Sequence, residues 1–534
     1  MRLRRFWRMA PVVLVGLVGV AGCARPKPPA SKPAPNLQPR LDAANALVRV
    51  GCFDCLTAAL TEYDALRTFT GASPAIVDSA TTGAIRAALL LELRERELGT
   101  TNDQYLAKAR AYMTGRDDLS TAFASAFDAI DLVSWRVTDE REAGSPTQFA
   151  VIRRLNENRD SWKQLYRGKA SDDEFWGYIW LTFACAAGET RNLTPSELEA
   201  PLPANRDAPL LAYKAAQCPG TRGIPDRQSA VDARRLADFQ KTEPRFAEID
   251  YYIGVGAMFR GELEEADALL RRALRWHQKW PAVTLMLASL AMTAEDFELA
   301  LGYYDVTLEL LPGYPQAMLG RVKTLSFTGK SEEAIKTVDQ ILEGRWNRGE
   351  AYYWRAWNNM QLTRNDQAWI DVEAAWKLYI NAGVAKLAGM IAYRREQLDV
   401  ARAKFEEGHR MDATDCELGF YLGLVNAEQR RWPPTADVFV ETASCLQNAQ
   451  KRMTEEMGQI QNSKASAERK ARQIARREKL IRDADRMIAT SWFNTAVACF
   501  NLSRKDDARQ YAEKVSSDEQ FGERAREILS RLEK

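Results

Sequence analysis

The sequence predicts an all-α fold, a solenoid of stacked antiparallel helix pairs, and three observations predict it. First, small residues recur along the second half of the chain: Ala266, Ala300, Ala334, Ala368, Ala401 and Ala436 stand 34, 34, 34, 33 and 35 residues apart. Second, two companion rows keep that period. Twelve residues earlier come Gly254, Ala288, Val322, Ala356 and Gly389, with Gly423 one place out of phase. Seven residues later come Ala273, Thr307, Ile341, Ala375, Gly408 and Ala443. Third, helix breakers punctuate the pattern, with Trp280-Pro281 and Leu311-Pro312-Gly313 between units and Gly261 and Gly329 within them. A fixed period in this range means one helix pair per unit, stacked on its neighbours.

The small rows have a steric cause. Antiparallel helices approach to about 8–10 Å only where the crossing side chains are small. These positions resemble the tetratricopeptide repeat, and the resemblance implies a right-handed α-solenoid whose first helices line a concave groove. Six units are read over 241–444, with Val322 and Ile341 departing from the pattern by being large. A seventh occupies 491–534, where Ser491-Trp492-Phe493-Asn494-Thr495-Ala496 precedes Asp507-Ala508.

Ala508 lies 72 residues beyond Ala436, so 38 residues are inserted there. Phe439, Thr442, Leu446, Ala449, Met453, Met457 and Ile460 recur at helical spacing, and Ile474, Ile481 and Ile488 recur every seven residues. This predicts a lengthened second helix, a turn near Asn462–Ser466 and a lengthened first helix of the next unit. The result is an antiparallel hairpin over 445–490 that projects from the solenoid. Between Lys451 and Met487 it carries 11 basic and 6 acidic residues. That imbalance fits either a solvated helix surface or contact with an anionic surface or partner.

The first half is less regular. Leu41 to Phe69 reads as a helix pair with Gly51 near its turn, and Ser171–Ala187 and Ala208–Gln217 read as amphipathic helices. Residues 41–240 are expected to form degenerate repeats continuous with the array.

At the extreme N-terminus, Arg2, Arg4, Arg5 and Arg8 precede twelve uncharged residues, Ala10 to Ala21. That run suits a secretory leader and is shorter than the ~20 residues needed to span a bilayer. It closes in Val20-Ala21-Gly22-Cys23, which resembles the lipobox of bacterial lipoproteins. The resemblance implies a leader over 1–22 and diacylglycerol attached at Cys23; the alternative is a plain leader followed by an ordinary thiol. Ala24 after the modified position implies the outer membrane. Six prolines between Ala24 and Arg40 then favour an extended polyproline linker over 23–40, about 50 Å long at about 3.1 Å per residue.

Composition excludes several function classes. Four of the 74 basic residues lie in the leader, which leaves 70 against 72 acidic ones. A nearly neutral mature chain without a basic motif is no nucleic-acid binder. His277 and His409 are the only histidines and stand in separate repeats, so no metal site is expected. The chain carries no nucleophile elbow, zinc-protease motif or phosphate loop, so neither catalysis nor a cofactor is expected.

The cysteines suit an oxidising compartment. Cys52-Phe53-Asp54-Cys55 could be a haem, zinc or redox motif. However, Leu56 stands where haem attachment needs histidine, and no second ligand pair follows. A local disulfide is the expected reading. Cys185 and Cys218 each close a helix and are expected to pair. Cys416 begins a first helix and Cys445 ends the following second helix, which brings them to a bonding Cα separation of about 5.5–6 Å. Cys499 is left over.

Function is therefore sought on the groove. The resemblance places Tyr251, Met258, Leu285, Lys323, Tyr353, Trp357, Met390, Tyr393, Arg394 and Tyr421 on it, with several shared between groove and core. Aromatic, Met and Arg side chains are favoured at recognition surfaces. The lysine and asparagine set of chaperone-binding repeats is missing, so capture of a terminal carboxylate is not implied. The expected role is a non-catalytic scaffold or assembly factor at the bacterial envelope, facing the periplasm and gripping a protein partner. The alternative is a lipoprotein that captures a solute or glycan for a transporter.

Overall fold

The computed structural model describes residues 36–98, 103–138, 173–189, 208–217, 233–344 and 347–533. Among these residues it forms 23 α-helices and no β-strand. The leader, Cys23, linker residues 24–35, Cys218 and the side chain of Cys185 lie outside the described residues, and the last residues of the expected linker, 38–40, are already helical.

Eight helices precede the array: α1 (Gln38–Val50), α2 (Phe53–Arg67), α3 (Pro74–Glu97), α4 (Gln104–Tyr112), α5 (Asp117–Thr138), α6 (Glu174–Glu189), α7 (Pro209–Gln217) and α8 (Ala233–Thr242). The α1–α2 pair is expected from the sequence, and Gly51 turns it with φ of 72°. Cys52 and Cys55 are bonded at the start of α2 with a Cα separation of 4.9 Å. Helix α3 is longer than any repeat helix of the regular array and has a different interior. Arg94 and Glu248 are fully buried and ion-paired. Arg94 Nη1 also donates to the Gly51 carbonyl at 2.9 Å, and its guanidinium lies 3.9 Å from the Tyr213 ring centroid. Lys214 pairs with Glu97 at 2.5 Å, and the Tyr178 hydroxyl donates to that carboxylate at 2.8 Å. Buried charge persists only when paired and hydrogen-bonded, so this cluster locks α3, α6, α7 and the entry to the array together.

The array follows in helix pairs. Unit one is α9 (Ile249–Phe259) with α10 (Leu263–Trp276); unit two is α11 (Pro281–Thr293) with α12 (Phe297–Leu310). Unit three is α13 (Pro315–Phe327) with α14 (Ser331–Glu343), and unit four is α15 (Arg348–Gln361) with α16 (Asn365–Leu378). Unit five is α17 (Ala382–Arg394) with α18 (Leu398–Met411), and unit six is α19 (Cys416–Glu428) with α20 (Trp432–Asn462). Unit seven is α21 (Ala467–Asn501) with α22 (Lys505–Lys514), covered by α23 (Gly522–Leu532). Each helix packs on its successor, giving a tetratricopeptide-type solenoid. Spacing selects the buried face: α10 buries Ala266, Leu269, Leu270 and Ala273, three and four residues apart.

The small rows do what sterics require, by two routes. A Cβ on Gly389 would stand 2.5 Å from the Phe405 ring, and one on Gly423 would stand 2.6 Å from Phe439. An aromatic ring of the second helix thus lies on bare backbone of the first. In unit three the large residues Val322 and Ile341 are instead buried together with Val338 and Met318, so the unit is packed by aliphatic interdigitation.

All seven units turn from first to second helix in one way. Gly261, Glu295, Gly329, Thr363, Glu396, Arg430 and Ser503 have left-handed backbone, with φ between 54° and 80°. The next amide donates to a carbonyl five residues back, as from Glu262 to Ala257 at 2.9 Å and from Arg364 to Asn359 at 2.8 Å. This closure satisfies carbonyls that the helix end leaves open.

The first half and the array share one core, running from Leu37 to Leu269. Trp276 Nε1 donates to Asp54 at 3.3 Å, and Trp280 Nε1 donates to the Leu98 carbonyl at 2.6 Å.

The hairpin has the expected form. Helices α20 and α21 run for 31 and 35 residues around a turn at 463–466, and unit six is closed by a Cys416–Cys445 disulfide with a Cα separation of 5.7 Å. Its root is packed, with Leu446, Ala484 and Ile488 buried together. Toward the tip Met453, Met457 and Ile460 are only half-buried. The hairpin projects beyond its own unit, and its second arm meets units one and two. Arg469 pairs with Glu264 at 3.3 Å, Arg472 with Asp296 at 2.7 Å and Arg477 with Glu295 at 2.7 Å.

Candidate functional site

The first helices of units three to six form the candidate site, because they carry most of the expected groove residues. Tyr353, Trp357 and Met390 are half-buried against one apolar cluster that joins units four and five. Met390, Tyr393 and Tyr421 are half-buried against the next, which joins units five and six. The structure therefore strings these five side chains along three consecutive units. Tyr421 stacks on Phe405, ring centroids 5.5 Å apart and nearly parallel, and Tyr353 meets Trp354 edge-on at 5.2 Å.

Polar residues tie consecutive first helices along this row. Lys323 pairs with Glu350 at 2.8 Å, linking units three and four. Arg394, exposed, donates to the Met360 carbonyl at 2.6 Å, linking four and five. Tyr393 donates to Glu428 at 2.5 Å, and Lys386 pairs with Asp415 at 2.8 Å and Glu417 at 2.9 Å, linking five and six. Burial, then the hydrogen bond to Glu428, pushes the Tyr393 phenol up to about 12. Burial also raises Tyr353 and Tyr421. The phenols thus stay neutral near neutral pH, and that of Tyr393 is a hydrogen-bond donor.

Of the other three expected groove residues, Tyr251 and Met258 are half-buried on the first helix of unit one, outside this row. Leu285 is a correction: only 8% exposed, it packs with Ala288, Ala300 and Tyr304 in the core of unit two. Its helix is apolar on nearly every side, burying Val283, Leu287, Leu290 and Ala291 as well, and such a helix is enclosed by its neighbours. Tyr251 lies 5.0 Å from Trp280 at the joint of units one and two. Met258 packs beside Ala257, Ala266 and Leu290.

One set of residues escaped the sequence reading. Arg321 pairs with Asp305 at 2.7 Å and donates to Thr337 at 2.6 Å. Arg355 does the same one unit later, with Asp339 at 2.8 Å and Asp371 at 2.7 Å. Each arginine bridges the second helix of the preceding unit and that of its own. Arg321 and Arg355, and likewise Asp305 and Asp339, stand 34 residues apart. That repeat of charges was the available signal.

A hollow of about 480 Å³ lies against the turns of units four and five, lined by Thr363–Gln367, Arg394, Arg395 and Gln397. Its lining is polar and holds no aromatic side chain. Among the described residues no three His, Cys, Asp or Glu side chains gather to hold a metal ion, and no helix is long and apolar enough to cross a membrane.

No family model matches the sequence, and no curated protein matches it. Several solved repeat structures resemble the chain. MamA (residue 41 to the end) from Desulfovibrio magneticus aligns with 32% of this chain and 96% of its own, at 16% identity and a TM-score of 0.30. YrrB, a TPR protein with an unusual peptide-binding site, aligns with 33% of this chain and 91% of its own, at 18% identity and 0.28. The Cut9–Hcn1 structure of the APC/C aligns with 92% of this chain and 95% of its own, at 11% identity and 0.40.

Proposed function

We propose that this protein is a non-catalytic scaffold, anchored by lipid at Cys23 to the bacterial outer membrane on its periplasmic side. It grips a segment of a protein partner along the first helices of units four to six. The row Tyr353–Trp357–Met390–Tyr393–Tyr421 carries this reading. Three tyrosines, a tryptophan and a methionine, each half-buried and so already held in place, offer apolar contact at little further ordering cost. The Arg394 guanidinium supplies an exposed cation beside them. The anchor rests on Val20-Ala21-Gly22-Cys23 and the linker that follows it. The compartment agrees with two disulfides among the described residues.

Two variants test the parts separately. Cys23→Ser releases the protein from the membrane fraction; unchanged fractionation rejects the anchor. Trp357→Ala weakens the partner recovered from detergent-solubilised membranes about 30-fold, or about 2 kcal/mol, as for an interface hot spot. Because Trp357 is half-buried, the variant also loses part of the roughly 3–5 kcal/mol that truncating a core Trp costs. Affinity is therefore measured per folded molecule. Retained affinity with reduced stability would assign Trp357 to the core alone.

A further inference from the structure

We propose that the hairpin α20–α21 is a releasable strap, held at its far end by an arginine face, that ties the end of the array back to its beginning. Arg469, Arg472 and Arg476 stand three and four residues apart, so they share one helix face, and Arg477 stands beside them. That face meets the carboxylates at the turns of units one and two. Arg469 reaches Glu264 at 3.3 Å, Arg472 reaches Asp296 at 2.7 Å, and Arg476 and Arg477 reach Glu295 at 3.4 and 2.7 Å. The Arg476 guanidinium also lies 5.0 Å from the Phe297 ring centroid. The partners are 176 to 205 residues apart in sequence, so these contacts close a circuit from unit one through unit six and back.

The two ends of the strap are held by different physics. At the root, a disulfide and the buried Leu446, Ala484 and Ile488 fix the arm. At the far end the attachment is ionic: Arg472 and Arg476 remain about 40% exposed, while Arg469 and Arg477 are 17% and 20% exposed, so the pairs of Arg472 and Arg476 are the more open to screening. Leu480, farther along the same arm, is left exposed. Exposed ion pairs weaken with salt, because the screening length falls from about 10 Å at 0.1 M to about 3 Å at 1 M. Apolar packing at the root does not weaken in this way. Salt therefore separates the strap from the array without melting either. The arm beyond Cys445 is about 27 Å long at 1.5 Å per residue, so a swing of about 20° at the root carries the tip about 9 Å. Release frees the turns of units one and two and lets the array open.

Distance measurement between spin labels at Lys464→Cys, in the hairpin turn, and Thr293→Cys, at the end of α11, tests this in the full chain. Both positions are exposed, and Cys499 is buried. At 0.1 M NaCl the expected distribution is single and narrow. At 1 M NaCl, and in Arg472→Glu/Arg476→Glu/Arg477→Glu at low salt, it broadens and lengthens by about 9 Å, with helical content unchanged. Exchanging charges in Arg472→Asp/Asp296→Arg restores the narrow distribution relative to Arg472→Asp alone. A distribution that stays narrow at 1 M salt overturns the proposal, as does one that stays narrow in the folded triple variant. The salt arm keeps the native contact residues, so it decides the matter even if the triple variant does not fold.

Discussion

Units three to five and the region before the array are both all-helical, yet they are held together differently. In these units every helix packs on its sequence neighbours, and the interior is mainly apolar or bare glycine backbone. Buried polar side chains there find local partners: Asn358 donates to Ser326 and to the Trp354 carbonyl, and the buried charge of Asp371 pairs with Arg355, which is partly exposed and also reaches the half-exposed Asp339. In the first half the long helix α3 buries Arg94 against Glu248, and the nearby Lys214–Glu97 pair joins residues 117 apart in sequence. A local, repeated interior tolerates damage unit by unit. A single buried polar network fails as a whole, because removing one partner strands the others.

The strongest test of this contrast is Arg94→Ala. It leaves the Glu248 carboxylate buried without its cation and is expected to cost about 3–5 kcal/mol. Urea denaturation measures the loss, and hydrogen exchange should show α1, α3, α7 and α9 losing protection together. Next is Gly389→Ala, whose new methyl collides with Phe405 and should cost about 1–3 kcal/mol by overpacking. Here exchange should rise in units four to six only, and a loss of protection reaching α3 would break the comparison. Thr363→Gly should act in the opposite direction. It relieves left-handed backbone worth about 1–2 kcal/mol at a cost of roughly 0.5–1 kcal/mol in chain entropy. A net gain of about 0.5 kcal/mol is expected in the melting of unit four.

The smallest effect concerns pH at the seam between the regions. His277 packs against Phe53, Trp276 and Trp280, and burial lowers its pKa from the ordinary value near 6.5. Its neutral form is favoured in the fold. Stability is therefore full above the unfolded pKa and falls as pH drops from about 6.5 toward the lower folded value. His277→Gln should flatten that part of the pH profile while leaving the Gly389→Ala effect unchanged.

The same contrast explains what was legible in the sequence. The helix pairs were, because the small rows repeat at a fixed interval, and so was the hairpin, because 38 inserted residues kept helical spacing. The turns were legible only at Gly261 and Gly329. The other five units put Glu295, Thr363, Glu396, Arg430 or Ser503 in the same left-handed position, and none of these residue types announces it. Leu285 was misplaced because periodicity fixes which residues share a helix face, not which face a neighbouring helix covers. Arg94 and Glu248 could not be paired from sequence, since nothing local distinguishes a buried arginine from a solvated one. The arginines at the far end of the hairpin are visible in the sequence as a basic excess, which fits a solvated surface or an anionic contact alike; their acidic counterpart lies on the chain's own turns.

The Cys416–Cys445 bond has a mechanical consequence. It clamps unit six where α20 leaves the array, so the hairpin is a lever with a covalently fixed fulcrum. Load applied at the tip cannot be spent by sliding α20 along α19; it passes as torque into units six and seven. If this bond is reduced, the lever keeps its length and its tip contacts but loses its bearing, and the same load would be absorbed as slack at the root.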